Sequence, residues 1–221
     1  MKIVQASYTI RKLAPWKDML QLVEEIARTC YKSEENITDI SYEKFLRGII
    51  DRGHEAMIEH VGFSVKFIND RGVSHEEVRH RLASFAQEST RYCDYSKDKF
   101  DKNVTYVDIS RGIELDTKMR NYTAEQTALI LTEWMEACQD AERHYFKMLD
   151  LGATPQIARG VLNNSTKTEI WITMNLREWR HFFSLRADRP AHPQMREQAL
   201  PLLHDLQEEC PLIFGDLHFA E

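Results

Sequence analysis

Hydrophobic spacing divides the chain into helical and extended stretches that do not alternate as regular strand–helix–strand units. Val4 to Ile10 alternates loosely and predicts a short strand. Pro15 follows where a first helical turn tolerates it, and Met19, Leu22, Val23, Ile26 and Cys30 then recur at helical spacing over 16–31. Ser41 to Arg52 repeats the pattern through Phe45, Ile49 and Ile50, with Gly53 in the place of a C-terminal cap. Val61, Phe63, Val65 and Phe67 alternate with smaller or polar residues, which marks a half-buried strand.

The stretch RHRLASFAQESTRY (79–92) is harder to place. Val78, Leu82, Phe85 and Ala86 fall on one helical stripe, so the spacing predicts an amphipathic helix that runs into a more extended ESTRY. Residues 95–122 turn polar and read as a variable excursion with one strand at NVTYVDIS. The longest helix is expected over 123–151, with Leu131, Trp134, Cys138, Ala141, Tyr145 and Met148 spaced three and four apart and Gly152 behind them. Such a stripe is usually core and sometimes a subunit seam. A strand TEIWITM, a helix NLREWRHFFSLR and a last helix opened by Pro193, with Met195, Ala199, Leu202, Leu203 and Leu206 on its apolar face, complete the pattern. The expected fold is α+β, with helices packed around a small, mostly antiparallel sheet in a single domain over 1–221.

The 221 residues suffice for one well-buried core, and 43% hydrophobic against 29% charged residues is the balance of an ordinary globular chain. No run approaches the apolar length of a membrane span, and MKIVQASYTI lacks the apolar core of a secretory leader, so a cytoplasmic home is expected. The four cysteines are far apart and suggest neither a disulfide framework nor a zinc knuckle. A formal net charge of -6 counts against a general nucleic-acid binder, which depends on an excess of Lys and Arg to release counterions. Any anion must therefore be met by local clusters.

Four such clusters stand out: HEAMIEH (54–60), the 79–92 stretch, ARGVLNNST (158–166) and NLREWRHFFSLRADRPAHPQ (175–194). An arginine fork binds phosphate through parallel charge-assisted bonds worth roughly 1.5–3 kcal/mol each, against about 0.3–1 kcal/mol for a helix N-terminus. Trp179, Phe182 and Phe183 could stack on a planar ring, although core packing is the commoner use of that spacing. The pairs His75/His80 and His54/His60 fit no zinc template, because helical histidines must lie four apart to share a face. The glycines are scattered, which excludes a glycine-rich phosphate loop.

The run Arg79-His80-Arg81, then seven residues, then Ser89 resembles the signature of the flavin-dependent thymidylate synthases, and Arg91 and Tyr92 extend the match. HEAMIEH looks like that family's HGHETPFEH element, ARGVLNNST like its A-R-x-V-L-P segment, and NLREWRHFFSLRA like its N-x-R-x-(5)-F-x-x-L-R-A stretch. The resemblance implies conversion of dUMP to dTMP with methylenetetrahydrofolate as carbon donor and NADPH-reduced FAD as hydride carrier. It also implies a homotetramer whose active sites are shared between subunits.

Carried over by motif, His54, Glu59, Arg79, His80, Arg81, Asn175, Arg177 and His181 would contact FAD. Glu76, Gln87, Ser89, Arg91, Arg159 and Arg186 would hold dUMP, with Arg186 against the uracil as electrostatic activator and Ser89 as a binding residue. The chain departs from the family pattern at Ala56, Glu76, Gln87, His181 and Pro190. Glu76 matters most, because an unpaired carboxylate would repel a nucleotide phosphate, and Arg79 or Arg81 is expected to neutralise it. Arg180 and Arg189 are expected to serve as ion pairs or helix caps. A non-catalytic nucleotide- or RNA-binding module, or a degenerate member of the family, remains open at this point.

Overall fold

The computed structural model describes residues 1–219. Its elements in chain order are β1 (Lys2–Val4), β2 (Ser7–Lys12), α1 (Trp16–Tyr31), α2 (Ser41–Asp51), β3 (Gly62–Asp70), α3 (Arg71–Glu77), β4 (Ala83–Gln87), β5 (Thr105–Val107), α4 (Ser110–Arg120), α5 (Ala124–Asp150), α6 (Pro155–Ala158), β6 (Lys167–Asn175), α7 (Leu176–Arg186), α8 (Pro193–Glu209) and α9 (Pro211–Phe214). A four-stranded antiparallel sheet runs in the order β2-β3-β6-β4, and β1 pairs in parallel with β5 in a separate ribbon. The mixed helix-and-sheet architecture and the small antiparallel sheet agree with the sequence expectation.

Strands β3 and β6 form the centre. Both alternate buried and half-exposed residues along their lengths, so Phe63, Val65 and Phe67 meet Ile170, Ile172 and Met174 on one apolar face. Helices α1, α2, α7 and α8 close over that face. Trp179 stacks on Phe63 at 4.9 Å, and it lies with Phe182 and Phe183 fully inside the core. These aromatics are packing residues, unavailable as ligand platforms. A second, smaller core gathers Tyr95, Val104, Tyr106, Cys138 and Tyr145. No helix among the described residues is long and apolar enough to cross a membrane.

Three sequence expectations need correction. The first strand is two: β1 pairs with β5, and the chain joins the main sheet only from Ser7, as β2. On α1 the buried face is Met19, Leu20, Val23, Glu24, Ala27 and Arg28, whereas Leu22 and Cys30 are exposed. An inward Glu24–Arg28 pair at 2.7 Å, with Arg28 over the Phe45 ring, rotates the helix relative to its simple apolar stripe. Within 95–122 the expected strand occurs as β5, which pairs with β1, and α4 packs on α8. Most consequentially, 79–92 is not a helix: α3 ends at Glu77, and Ala83–Gln87 is an edge strand paired with β6. Val78 and Leu82, the start of the supposed stripe, are exposed at 39% and 67%. Pairing with β6 prevails over local periodicity, as tertiary context commonly does.

Gly62 opens β3 opposite Asn175, and a Cβ there would collide with the Met174 carbonyl oxygen and crowd the Asn175 Cα. Gly62→Ala is therefore expected to cost about 1–3 kcal/mol, the usual range for overpacking. Thermal denaturation should register this as a fall of several degrees, at about 2–4 °C per kcal/mol for a chain of this size.

Candidate active site

Antiparallel register brings three chain segments to one end of the sheet. Gly62 faces Asn175 and Ala83 faces Met174, so the start of β3, the start of β4 and the end of β6 coincide. The segment 54–60 leads into the first, Arg79-His80-Arg81 into the second, and α7 continues the third. Two adjoining cavities of about 560 and 280 Å³ open there, sharing Leu82, Glu178 and His181. Glu59, Asn175 and Arg177 line the larger, and Arg79, His80, Arg81 and Arg186 the smaller. His54 stands apart from both, exposed and bonded through Nδ1 to the Tyr31 hydroxyl at 3.0 Å.

Helix α7 organises this end. The Asn175 side chain accepts from the Glu178 backbone N–H at 2.8 Å and so caps the helix, which leaves the Asn175 amide nitrogen as a spare donor. Arg177 donates to Glu59 at 2.5 Å. Arg180 is buried and commits four of its five N–H groups, donating to Glu55, to the Ile213 carbonyl and through both terminal nitrogens to Asp216. It ties α7 to the C-terminal segment and belongs to the framework.

Arg186, in the last turn of α7, meets the end of α3. Its Nε donates to His80 Nε2 at 3.2 Å, Nη1 to Glu76 Oε2 at 2.8 Å and Nη2 to the Glu76 carbonyl at 2.9 Å. Each terminal nitrogen keeps one uncommitted N–H. The group that neutralises Glu76 is thus Arg186, in place of the expected Arg79 or Arg81, because the ends of α3 and α7 converge. Neither Arg79 nor Arg81 has an ion-pair or side-chain hydrogen-bond partner among the described residues, and both are exposed.

His80 is 3% exposed and bonded through Nδ1 to Glu178 Oε1 at 2.9 Å. Burial pushes its pKa below the ordinary imidazole value, the Glu178 carboxylate opposes this, and the Arg186 cation adds to the lowering. The ring is therefore neutral near pH 7. Ligand atoms of His80, Glu178 and His181 lie within 4.8 Å of one another, a grouping that residue spacing along the chain could not reveal. Arg186 against Nε2 and the Nδ1–Glu178 bond both oppose a cation there. Glu178 itself was missed in the sequence, where an Asn followed three residues later by Glu reads as a helix cap.

The remaining expected residues gather at the opposite end of the sheet. Gln87 donates to Ser74 Oγ and Thr168 Oγ1, Ser89 turns the chain, and Arg159 donates to Thr90 Oγ1 at 2.9 Å beside it. Arg91 is exposed, its guanidinium over the Tyr92 ring. Strand β4 separates the two groups by about 13 Å at roughly 3.3 Å per residue.

Fold and site together define an α+β protein with an arginine-rich cleft suited to anionic ligands. A family model described as thymidylate synthase complementing protein matches residues 12–212. A flavin-dependent thymidylate synthase of Geobacter sulfurreducens is 34% identical over 197 residues, covering 86% of this chain and 78% of that one. One from Corynebacterium aurimucosum is 32% identical over 203 residues, covering 90% and 80%. The solved structure of a UMP/dUMP methylase, PolB from Streptomyces cacaoi, bound with 5-Br dUMP, shares the fold at a TM-score of 0.78 and 22% identity, covering 97% and 96%. The chain belongs to the flavin-dependent thymidylate synthase family.

Beneath the Glu76–Arg186 contact, Glu77 is wholly buried, and burial lifts its pKa from the ordinary 4.5 to about 8, against a stabilising bond from Asn69. The folded protein then holds Glu77 protonated at neutral pH while the unfolded chain ionises it. The stability that this group contributes is full below about pH 4.5 and is lost as pH rises toward 8. Glu77→Gln is expected to flatten that portion of the pH dependence, measured by urea denaturation at pH 5 and pH 8.

Proposed function

We propose that this chain converts dUMP to dTMP by reductive methylation, with methylenetetrahydrofolate as carbon donor, NADPH as reductant and FAD as cofactor. The observation that carries this reading is the convergence of Arg79-His80-Arg81 with Asn175, Arg177 and Arg186, nearly a hundred residues away in sequence, around adjoining cavities. The donor set fits FAD. Arg79 and Arg81 offer uncommitted guanidinium groups and Asn175 a spare amide N–H, the partners that a pyrophosphate requires. Glu59, Arg177 and His181 line the adjoining wall. Reduced FAD supplies the hydride in this chemistry.

Uracil C5 is a poor nucleophile, and addition of a cysteine at C6 is one way to activate it. None of the four cysteines lines these cavities. Burial raises the pKa of Cys93 and Cys138 and lifts that of Cys210 to about 12, so none of these is an activated thiolate. Arg186 instead presents its free N–H groups to the uracil carbonyl oxygens, where they stabilise the enolate-like charge that makes C5 nucleophilic. Glu76 orients that guanidinium, while Ser89, Arg91 and Arg159 hold the nucleotide phosphate with Gln87 behind them.

The separation of the flavin-end residues from Ser89, Arg91 and Arg159 within one chain supports active sites completed by neighbouring subunits in a homotetramer. Leu129, Ile130 and Met135, exposed on the first half of α5, offer an apolar surface for such assembly. A cytoplasmic location accords with substrates of this class.

The test is an anaerobic assay with FAD, NADPH, dUMP and methylenetetrahydrofolate, read as dTMP formed. Arg186→Ala is expected to lower dTMP formation by about 100-fold or more, the scale of losing a charge-stabilising donor, while the bound-flavin spectrum persists. Turnover near the wild-type level would refute Arg186 as activator.

A further inference from the structure

We propose that Glu178 is a positioning residue: its carboxylate fixes the tautomer of His80 and, through it, the orientation of Arg186 toward the pyrimidine. This rests on the reading of Arg186 given above. An arginine Nε can only donate, so the His80 Nε2 that faces it must carry a lone pair. A neutral imidazole then has its one proton on Nδ1, where it donates to Glu178 Oε1 at 2.9 Å. The sequence is directional, from Arg186 to His80 to Glu178, and each hydrogen has one acceptor.

Removing the carboxylate removes the reason for that tautomer. The alternative places a hydrogen on Nε2, against the Nε–H of Arg186, donor facing donor. Protonating both nitrogens adds cation to cation. In either state Arg186 is left with Glu76 as its only anchor, and its free N–H groups are no longer aimed by two supports. Glu178 and His80 are 7% and 3% exposed, so their bond is largely shielded from solvent. The backbone that carries the carboxylate is fixed, because Asn175 bonds the Glu178 backbone N–H at the first turn of α7. No other hydrogen bond to the Glu178 carboxylate occurs among the described residues, so its polar contact is wholly with His80.

Glutamine at this position retains an oxygen that accepts from Nδ1–H, while the charge is lost and the second oxygen becomes an amide donor. That separates tautomer control from a bulk electrostatic or structural role. The experiment uses flavin-loaded wild type, Glu178→Ala, Glu178→Gln, Arg186→Ala and the Glu178→Ala/Arg186→Ala double variant. Histidine-selective 15N NMR, with His80 assigned by its loss in His80→Gln, is expected to show Nδ1 protonated in wild type and in Glu178→Gln. In Glu178→Ala the proton should shift toward Nε2. The kcat for dTMP formation should fall about 10- to 100-fold in Glu178→Ala, as when carboxylates behind metal-bound histidines are removed, with flavin content unchanged. Glu178→Gln should recover most of that loss, and Glu178→Ala should add nothing once Arg186 is alanine.

A wild-type His80 protonated on Nε2 overturns the proposal without any variant having to fold. So does an unchanged tautomer in Glu178→Ala, or a loss that persists in full on top of Arg186→Ala. A wild type that forms no dTMP would overturn the parent reading and the kinetic arm with it, while the NMR spectra would still decide the tautomer.

Discussion

Strand β6 hydrogen-bonds along both edges, to β3 over its whole length and to β4 over five residues, and the site follows from this double pairing. Antiparallel neighbours bring the ends of distant segments together: β6 terminates where β3 and β4 begin. Residues near 60, 80 and 175 thereby share one rim, and everything that reaches the cleft does so from a fixed strand end. The first turn of α7 inherits its position from the last pair of the ladder, Gly62 with Asn175, and that pair tolerates no side chain on the glycine.

Within that frame the arginines divide by what already holds them. Arg180 is buried and held by four hydrogen bonds, a strut between α7 and the C-terminal segment. Arg79 and Arg81 are exposed and have no ion-pair or side-chain hydrogen-bond partner among the described residues. Arg186 lies between these extremes, held on one side by Glu76 and on the other by His80, with N–H groups left over. A guanidinium so restrained loses little freedom when it engages a ligand, which is the physical content of preorganisation. The acidic net charge of the chain sets no limit on such a site, since the pairings around each arginine decide its field locally.

Much of the fold was legible in the sequence. The long elements α5, β3, β6 and α7 each occur within a residue of their expected bounds, and α8 opens at Pro193 as expected. The motif residues of the cleft were legible too, because their spacing matches a family signature. The edge strand 83–87 was not legible. Its five residues are too few for alternation to override a helical stripe, and its identity depends on β6, more than eighty residues onward. The rotation of α1 was hidden for a similar reason, since a buried Glu24–Arg28 pair makes charged residues face inward.

The sequence by itself determined the class of fold, the family and the set of polar residues from which a nucleotide-and-flavin site could be drawn, because periodicity and motif spacing are properties of local chain order. Only the tertiary structure decided which of those residues meet: that Glu76 pairs with Arg186, that Glu178 stands behind His80, and that Ser89, Arg91 and Arg159 lie at the far end of the sheet. Those choices depend on strand register and on the direction in which each helix leaves the sheet. Both are settled by pairing between segments remote along the chain, which no local pattern encodes.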